Sequence, residues 1–241
     1  MKLLIILMTL IYSSVAYPDS VFVKISVDGN SHITINYKNI EDINLADKRI
    51  KFIAKMIREN FFDINQISKD YYNIVTRDGI KIYNKLLKQI ELTPIKNDRF
   101  SHIITVQGNL IVRREVYDTK NNLLYAYGFT DYIPDIQPTP VDSKDVSLEK
   151  DNIFYKGFKG KLIKKLEDGT IHYIFSDGLN KFSIFIKKNE KSNNMVKTIA
   201  YGNYLLSKNV DSIQYTLIGT IPFEEMENFI THITTKEKYI K

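Results

Sequence analysis

The stretch Thr170–Lys187 constrains the fold most, because two apolar-rich arms flank the tripeptide Ser176-Asp177-Gly178. An Asp-Gly pair between two such arms is typical of a β-hairpin, since glycine tolerates the positive φ of a tight turn. A second stretch, Ile213–Ile233, predicts a strand that ends in Gly219-Thr220-Ile221-Pro222 and is followed by a short amphipathic helix. The two stretches predict an antiparallel sheet with a terminal helix, and neither contains a catalytic motif.

Residues 1–16 are predicted to be a secretory signal peptide. Lys2 supplies the positive end, Leu3–Tyr12 supply the apolar run, and Ser14-Val15-Ala16 provide the small residues that a signal peptidase reads. The apolar run is too short to span a bilayer. We therefore expect cleavage between Ala16 and Tyr17 and export of the mature chain.

The composition indicates the compartment and excludes some classes of partner. The chain contains no cysteine, and exported proteins without disulfides are ordinary in the Gram-negative periplasm. The formal net charge is +6, with lysine and arginine spread evenly along the chain. Together with export, this even spread argues against nucleic-acid binding. It favours a mild attraction to anionic lipid headgroups or to an acidic partner.

The first half of the chain alternates between apolar and polar residues, which predicts antiparallel strands around one helix. The predicted strands are Val21–Val27, His32–Tyr37, Tyr71–Val75, Lys81–Leu92, Ser101–Val106, Leu110–Tyr117 and Leu123–Tyr132. The helix is predicted over Asp47–Phe62, and the residues on its apolar face are Ile50, Ile53, Ala54, Ile57 and Phe61. This order indicates a curled sheet or an open barrel over residues 17–133.

A change in composition separates the two halves. Pro134, Pro138 and Pro140 precede a run of charged residues, which predicts an interdomain linker over residues 134–151. A smaller antiparallel domain is predicted over residues 152–241, with strands Phe158–Leu166, Thr170–Phe175, Leu179–Lys187, Val196–Leu206 and Ile213–Ile218. Its last helix is predicted to begin near Pro222 and to bury Met226, Phe229, Ile230 and Ile233.

The residues that could carry catalysis are scattered. The sequence contains no nucleophile elbow, P-loop, His-Glu-x-x-His motif or dinucleotide fingerprint. The four histidines are far apart in sequence, and we interpret them as half-exposed side chains rather than metal ligands: His32, His102, His172 and His232. The sequence therefore predicts that the protein is not an enzyme and has no cofactor and no metal site.

Three further groups of residues have a structural interpretation. Arg113 and Arg114 are neighbours in a predicted strand, so they point to opposite faces and cannot form one anion site. Four Asp-Gly pairs are interpreted as turns in which the carboxylate accepts backbone N–H groups, at Asp28, Asp78, Asp168 and Asp177. Five tyrosines fit either a lipid-binding cavity or ordinary sheet packing: Tyr71, Tyr72, Tyr125, Tyr127 and Tyr132.

The C-terminal motifs resemble those of the MucB/RseB family, periplasmic regulators of an envelope-stress sigma factor. Tyr155–Phe158 resembles the family's Pro-x-Gly-Phe segment, Tyr173–Phe185 its SDGL hairpin, and Tyr215–Pro222 its strand into Gly-x-x-Pro. Tyr71-Tyr72, Asn84–Pro94 and Leu110–Asp131 resemble its later barrel strands. The motif positions that match are Gly157, Phe158, Ser176, Asp177, Gly178, Leu179, Gly219 and Pro222.

The resemblance implies a mainly β (α+β) protein in two parts. The N-terminal part would be an incomplete antiparallel β-barrel with a helix, similar to the lipoprotein carriers LolA and LolB. The short segment between Tyr37 and Asp47 favours a smaller or more open barrel. The C-terminal part would be a small antiparallel sheet with a terminal helix.

The resemblance also implies a function without naming contact residues. Members of the family bind the periplasmic segment of a membrane-anchored anti-sigma factor and release it when lipoprotein or lipopolysaccharide binds. An alternative is a periplasmic lipid or lipoprotein chaperone of the LolA type. A homo-oligomer is also compatible with the sequence.

Overall fold

A computed structural model describes residues 20–39, 42–43, 47, 49–59, 61–130, 133, 153–188 and 195–235. The predicted signal peptide and its cleavage site between Ala16 and Tyr17 lie outside these residues. Residues 134–151, predicted to be a linker, lie outside them as well. Both segments therefore stay predictions.

The first seven strands form one open antiparallel sheet in the order β2-β1-β7-β6-β5-β4-β3. Their bounds are Val21–Ser26 (β1), His32–Tyr37 (β2), Tyr72–Ile82 (β3), Lys85–Pro94 (β4), Ser101–Gln107 (β5), Leu110–Tyr117 (β6) and Leu123–Phe129 (β7). Helix α1 spans Lys51–Glu59, and two 3₁₀ helices span Ile64–Gln66 and Lys69–Tyr71. In this order the described strands β2 and β3 are the two edges, so the sheet is not a closed barrel, as the sequence predicts.

Helix α1 buries the apolar face that its sequence predicts. Ile53, Ala54 and Ile57 of the helix, and Ile50 directly before it, are all buried in the hydrophobic core. The prediction that Phe61 shares this face is wrong, because the helix ends at Glu59 and Phe61 instead forms an isolated β-bridge with Leu110. The chain has already left the helical path there, and the helical period no longer applies.

The remaining seven strands form a second antiparallel sheet in the order β12-β13-β14-β11-β10-β9-β8. Their bounds are Ile153–Tyr155 (β8), Phe158–Lys165 (β9), Ile171–Ser176 (β10), Lys181–Lys188 (β11), Val196–Ala200 (β12), Asn203–Val210 (β13) and Ile213–Gly219 (β14). Helix α2 spans Phe223–Thr235, and its buried apolar residues include Met226, Phe229, Ile230 and Ile233. The predicted fold, mainly β with a terminal helix, is confirmed.

One hairpin turn of the first sheet lies five residues from its predicted position. The Asp78-Gly79 pair does not end a strand: it lies at a bulge inside β3, where the pairing register shifts between Arg77 and Ile80. The turn between β3 and β4 is formed by Tyr83 and Asn84, which have φ values of 46° and 64°. Asparagine tolerates the left-handed region well, and Gly79, with φ of 78°, fits a bulge equally well.

Two features of the second sheet also differ from the prediction. The segment Val196–Leu206 is not one strand, because Tyr201 and Gly202 turn the chain between β12 and β13 with φ values of 47° and 73°. Strand β8 follows the proline-rich region and was not predicted at all. Its three residues are too few to show an alternation of apolar and polar side chains.

The two sheets share one continuous hydrophobic core. The rings of Phe100 from the first half and Tyr204 from the second meet edge to face, with centroids 5.0 Å apart. The two sheets therefore pack directly on each other. The division into domains 17–133 and 152–241 stays a prediction.

Candidate functional site at the junction of the two sheets

The carboxylate of Asp177 stabilises the turn between β10 and β11. Its Oδ1 atom accepts the backbone N–H of Leu179 at 2.9 Å and that of Asn180 at 2.7 Å. The hydroxyl of Ser176 accepts the N–H of Gly178 at 3.1 Å, and Gly178 has a φ of 96°. The predicted role of this Asp-Gly pair in a turn is confirmed, as it is for Asp28 and Asp168, which also accept nearby N–H groups.

Asp177 also bonds the first sheet through its second carboxylate oxygen, which was not predicted. Its Oδ2 atom accepts the hydroxyl of Tyr72 at 2.6 Å and Nη1 of Arg99 at 2.9 Å. The side chains of Arg99 and Asp177 both have 0% exposure. The backbone carbonyl of Asp177 accepts the N–H of Ser68 at 3.0 Å. The tip of a C-terminal hairpin is therefore bonded to the N-terminal half of the chain.

Arg99 is surrounded by groups from both halves of the chain. It donates through Nε and Nη2 to the carboxylate of Asp98 and through Nη2 to the carbonyl of Lys156 at 2.7 Å. Its guanidinium lies 4.3 Å from the ring centroid of Tyr71 and 4.7 Å from that of Phe158. Burial lowers the pKa of Arg99, but the hydrogen bonds to Asp98 and the neighbouring negative charges outweigh burial and leave the pKa raised. The side chain therefore stays charged.

The asparagine that follows the SDGL motif continues the network. Nδ2 of Asn180 donates to the hydroxyl of Tyr72 at 2.8 Å and to the carbonyl of Phe100 at 3.1 Å. Nη2 of Arg114 donates to the carbonyl of Leu179 at 3.1 Å. Polar groups of the buried turn thus find partners on the first sheet, which a buried polar group requires.

Arg113 and Arg114 lie on opposite faces of β6, as predicted. Arg113 is exposed and bonds Glu115, whereas Arg114 is buried with Nη2 3.2 Å from Nδ1 of His102. The prediction that the strand histidines are half-exposed is wrong for His102, which is fully buried. Burial, and then the charge of Arg114, lower the pKa of His102 well below its usual value. His102 is therefore neutral in the folded protein.

Two glycines allow the close approach of the chain segments at this junction. A Cβ atom on Gly178 would lie 2.3 Å from the carbonyl oxygen of Gln66. A Cβ atom on Gly157, which has a φ of 81°, would lie 2.3 Å from the ring of Tyr71. The hydroxyl of Ser68 donates to the carbonyl of Gly157 at 2.8 Å. A side chain at either glycine would force the two halves of the chain apart.

A second contact joins the sheets at the turn between β12 and β13. The N–H groups of Tyr201 and Gly202 donate to the carbonyls of Val27 and Ser26 at 3.1 and 2.8 Å. Nearby, the hydroxyl of Tyr204 donates to Oδ2 of Asp118 at 3.0 Å. The second sheet is therefore held at two separated places, which restricts its rotation relative to the first.

The matched motif positions fall into two groups. Ser176 lies in the turn between β10 and β11. Five others lie at the junction: Gly157, Phe158, Asp177, Gly178 and Leu179. Gly219 lies in β14 against the carbonyl of Lys181, and Pro222 precedes α2 and accepts the N–H of Met226. A role for these positions in binding a partner stays a prediction.

Several other predicted side chains are placed without forming a site. Tyr72, Tyr125 and Tyr127 are buried in the core, and Tyr71 packs on Arg99. Tyr132 lies outside the described residues. Within the described ranges, no group of three or more His, Asp and Glu side chains is placed to hold a metal ion. No helix in the described part of the chain is long and apolar enough to cross a membrane.

The fold and the junction define a two-sheet, mainly β protein whose C-terminal sheet carries a terminal helix. Residues 156–234 match the family model described as the MucB/RseB C-terminal domain. The C-terminal part of the chain is therefore similar to the C-terminal domain of the MucB/RseB family, as its motifs predict.

Two solved structures have a similar fold over most of the chain. A chain of "The complex structure of Pseudomonas aeruginosa MucA/MucB" is 15% identical with a TM-score of 0.58, covering 87% of this chain and 89% of its own. A chain of "Crystal structure of MucB in complex with MucA(peri)" is 15% identical with a TM-score of 0.57, covering 86% and 89%. No curated protein sequence matches this chain.

Proposed function

We propose that this protein binds the periplasmic segment of a membrane-anchored anti-sigma factor and so regulates an envelope-stress sigma factor. The observation that carries the proposal is the MucB/RseB C-terminal domain at residues 156–234 within a MucB-like two-sheet fold. MucB itself has been crystallised in complex with MucA(peri). This function requires a binding surface rather than a catalytic site. The polar groups of the junction hydrogen-bond one another, as expected of a structural contact.

The junction supports this function physically. Because Asp177 and Gly202 fix the second sheet on the first, a partner that touches both sheets meets surfaces already in place. Preorganised surfaces bind more tightly, since less conformational freedom is lost on binding.

The proposal extends to location and control. The protein is exported to the periplasm, with cleavage between Ala16 and Tyr17, and a lipoprotein or lipopolysaccharide ligand releases the partner. Such release is linkage: a lipid that binds the free form better weakens the partner complex by the same factor.

A pull-down from envelope extract tests the proposal, with residues 17–241 as the bait. We expect a single-pass membrane protein to be recovered, and a deletion strain to show altered envelope-stress transcription. Recovery of no membrane protein, together with unchanged transcription, would contradict the proposal. Native mass spectrometry tests the alternative, a lipid carrier of the LolA type. This alternative predicts that acyl species co-purify with the protein and that no membrane-protein partner is recovered.

A further inference from the structure

One face of the C-terminal sheet is open. Along β11 buried and half-buried residues alternate, and the buried ones, Phe182, Ile184 and Ile186, lie on the face that α2 covers. Phe182 contacts Phe229 of that helix with ring centroids 5.0 Å apart. On the other face Ser183 and its cross-strand partners are half-buried or exposed, so among the described residues nothing covers this face.

The open face is strongly basic. The strands β8–β14 contain several lysines and no aspartate or glutamate. Cross-strand partners lie on the same face of a sheet, and the register places Lys159 and Lys181 on either side of Ser176 in β10. It likewise places Lys161 beside Ile174 on the open face.

Among the described residues, no carboxylate is paired with the lysines of β9. Lys159, Lys161 and Lys164 are exposed, and no described carboxylate forms an ion pair with any of them. Lys164 lies beside His172, whose pKa is lowered by burial and then by the charge of Lys164. The positive potential of this row is therefore felt by its neighbours.

Apolar side chains lie between the charges. Ile174, Phe185 and Ile218 are half-buried on the open face, in β10, β11 and β14. The ring of Phe185 stacks on His172 at a centroid distance of 4.2 Å. The face thus combines a row of exposed ammonium groups with a shallow apolar surface.

We infer that this open face binds an extended acidic segment of a polypeptide partner. Alternate residues on a strand are about 6.6–7 Å apart, so Lys159 and Lys161 repeat at the spacing at which an extended chain presents alternate side chains. Carboxylates at every second position of such a segment meet the lysine row, and the side chains between them point to the opposite side. The inference rests on the proposed function, since it assigns a surface and a charge to the partner.

A membrane of anionic lipids fits the face less well than a polypeptide does. Insertion into a bilayer favours protruding apolar side chains, whereas Ile174, Phe185 and Ile218 lie low between the lysines. Phe154 at the edge strand β8 and Val196 at the edge strand β12 are exceptions, with 59% and 48% exposure on the same face. The experiment therefore includes vesicles as a separate arm.

The test measures the fluorescence anisotropy of a labelled short peptide in which Glu and Thr alternate. A control peptide has Gln in place of each Glu. We expect the wild-type chain to bind the Glu peptide and not the Gln peptide, and added salt to weaken binding. The variant Lys159→Glu/Lys161→Glu should bind about tenfold more weakly, because each reversal removes one attraction and adds a comparable repulsion.

A matched control reverses the charge of two exposed lysines on strands of the other sheet, Lys24→Glu/Lys81→Glu. It has the same net charge as the test variant and should bind like wild type. Equal weakening in both variants would overturn the inference, as would equal binding of the Glu and Gln peptides. Lysine-dependent binding to vesicles of phosphatidylglycerol and phosphatidylcholine without peptide binding would also overturn it, in favour of a membrane site.

The same variants separate the inference from the proposed function. If the pull-down recovers the membrane protein equally with wild type and with Lys159→Glu/Lys161→Glu, the proposed function stands and the inference fails. If the pull-down recovers nothing while the Glu peptide binds through these lysines, the acidic-segment site stands and the proposed partner fails. Loss of the membrane protein in the lysine variant alone supports both.

Discussion

The carboxylate of Asp177 lies 2.9 Å from the guanidinium of Arg99, and both side chains are fully buried between the two sheets. The two residues are 78 positions apart in the sequence. A buried ion pair is tolerated only when its other polar atoms also find partners. Here Tyr72 and the turn N–H groups satisfy Asp177, and Asp98 satisfies Arg99. We interpret the pair as one of the two contacts that fix how one sheet sits on the other.

Removal of the hydroxyl of Tyr72 tests the network around this pair. In Tyr72→Phe, Asp177 loses a donor and Asn180 loses an acceptor, and both are buried. We expect the free energy of unfolding, measured by urea denaturation, to fall by about 1–3 kcal/mol. The control is Tyr117→Phe, whose hydroxyl donates to Glu115 in a less buried setting and should matter less. Equal losses in the two variants would count against a special role for the junction.

Two glycine substitutions compare a turn at the junction with a turn in solvent. Gly178 and Gly169 have φ values of 96° and 78°, so alanine costs about 1–2 kcal/mol of backbone strain at either position. At Gly178 the added Cβ also meets the carbonyl of Gln66 at 2.3 Å, whereas at Gly169 nothing lies within 4 Å. We therefore expect Gly178→Ala to lower the melting temperature clearly more than Gly169→Ala. Equal shifts would show that the hairpin tip does not contact Gln66.

The buried His102 predicts a dependence of stability on pH. Its pKa is lowered in the folded state, so below about pH 6.5 the unfolded chain binds a proton that the folded chain does not. The free energy of unfolding should therefore fall as the pH drops below 6.5, by up to about 1.4 kcal/mol per unit. In His102→Gln this slope should be smaller, whatever the stability of the variant at neutral pH. Parallel slopes between pH 7.5 and 5 in the two proteins would refute the assignment.

The sequence predicts the elements of the fold better than it predicts their junction. Local alternation identified strands such as Leu110–Tyr117 at their observed bounds, and the period of residues 222–233 identified the buried face of α2. The turn at Tyr83-Asn84 was missed because Asp78-Gly79, with stronger local turn chemistry, occupies a bulge.

The junction could not be derived from local patterns, since its partners are far apart in sequence. The Asp177 motif was singled out as a turn, and its turn bonds are local. Its partners Tyr72 and Arg99 lie in the other sheet's half of the chain, where nothing in their neighbourhood indicates an ion pair. One available signal was Arg99 itself, an arginine two residues before the predicted strand that begins at Ser101.

The measurement that tests this account most directly compares Asp177→Asn with Asp168→Asn by urea denaturation. Both aspartates precede a glycine and accept turn N–H groups, and both form an ion pair. The pair of Asp168 with Lys187 is exposed and should contribute little to stability. Loss of the buried charge at Asp177 should cost about 3–5 kcal/mol, because Arg99 keeps its charge between the sheets. Losses below 1 kcal/mol in both variants would contradict the claim that Asp177 holds the two sheets together.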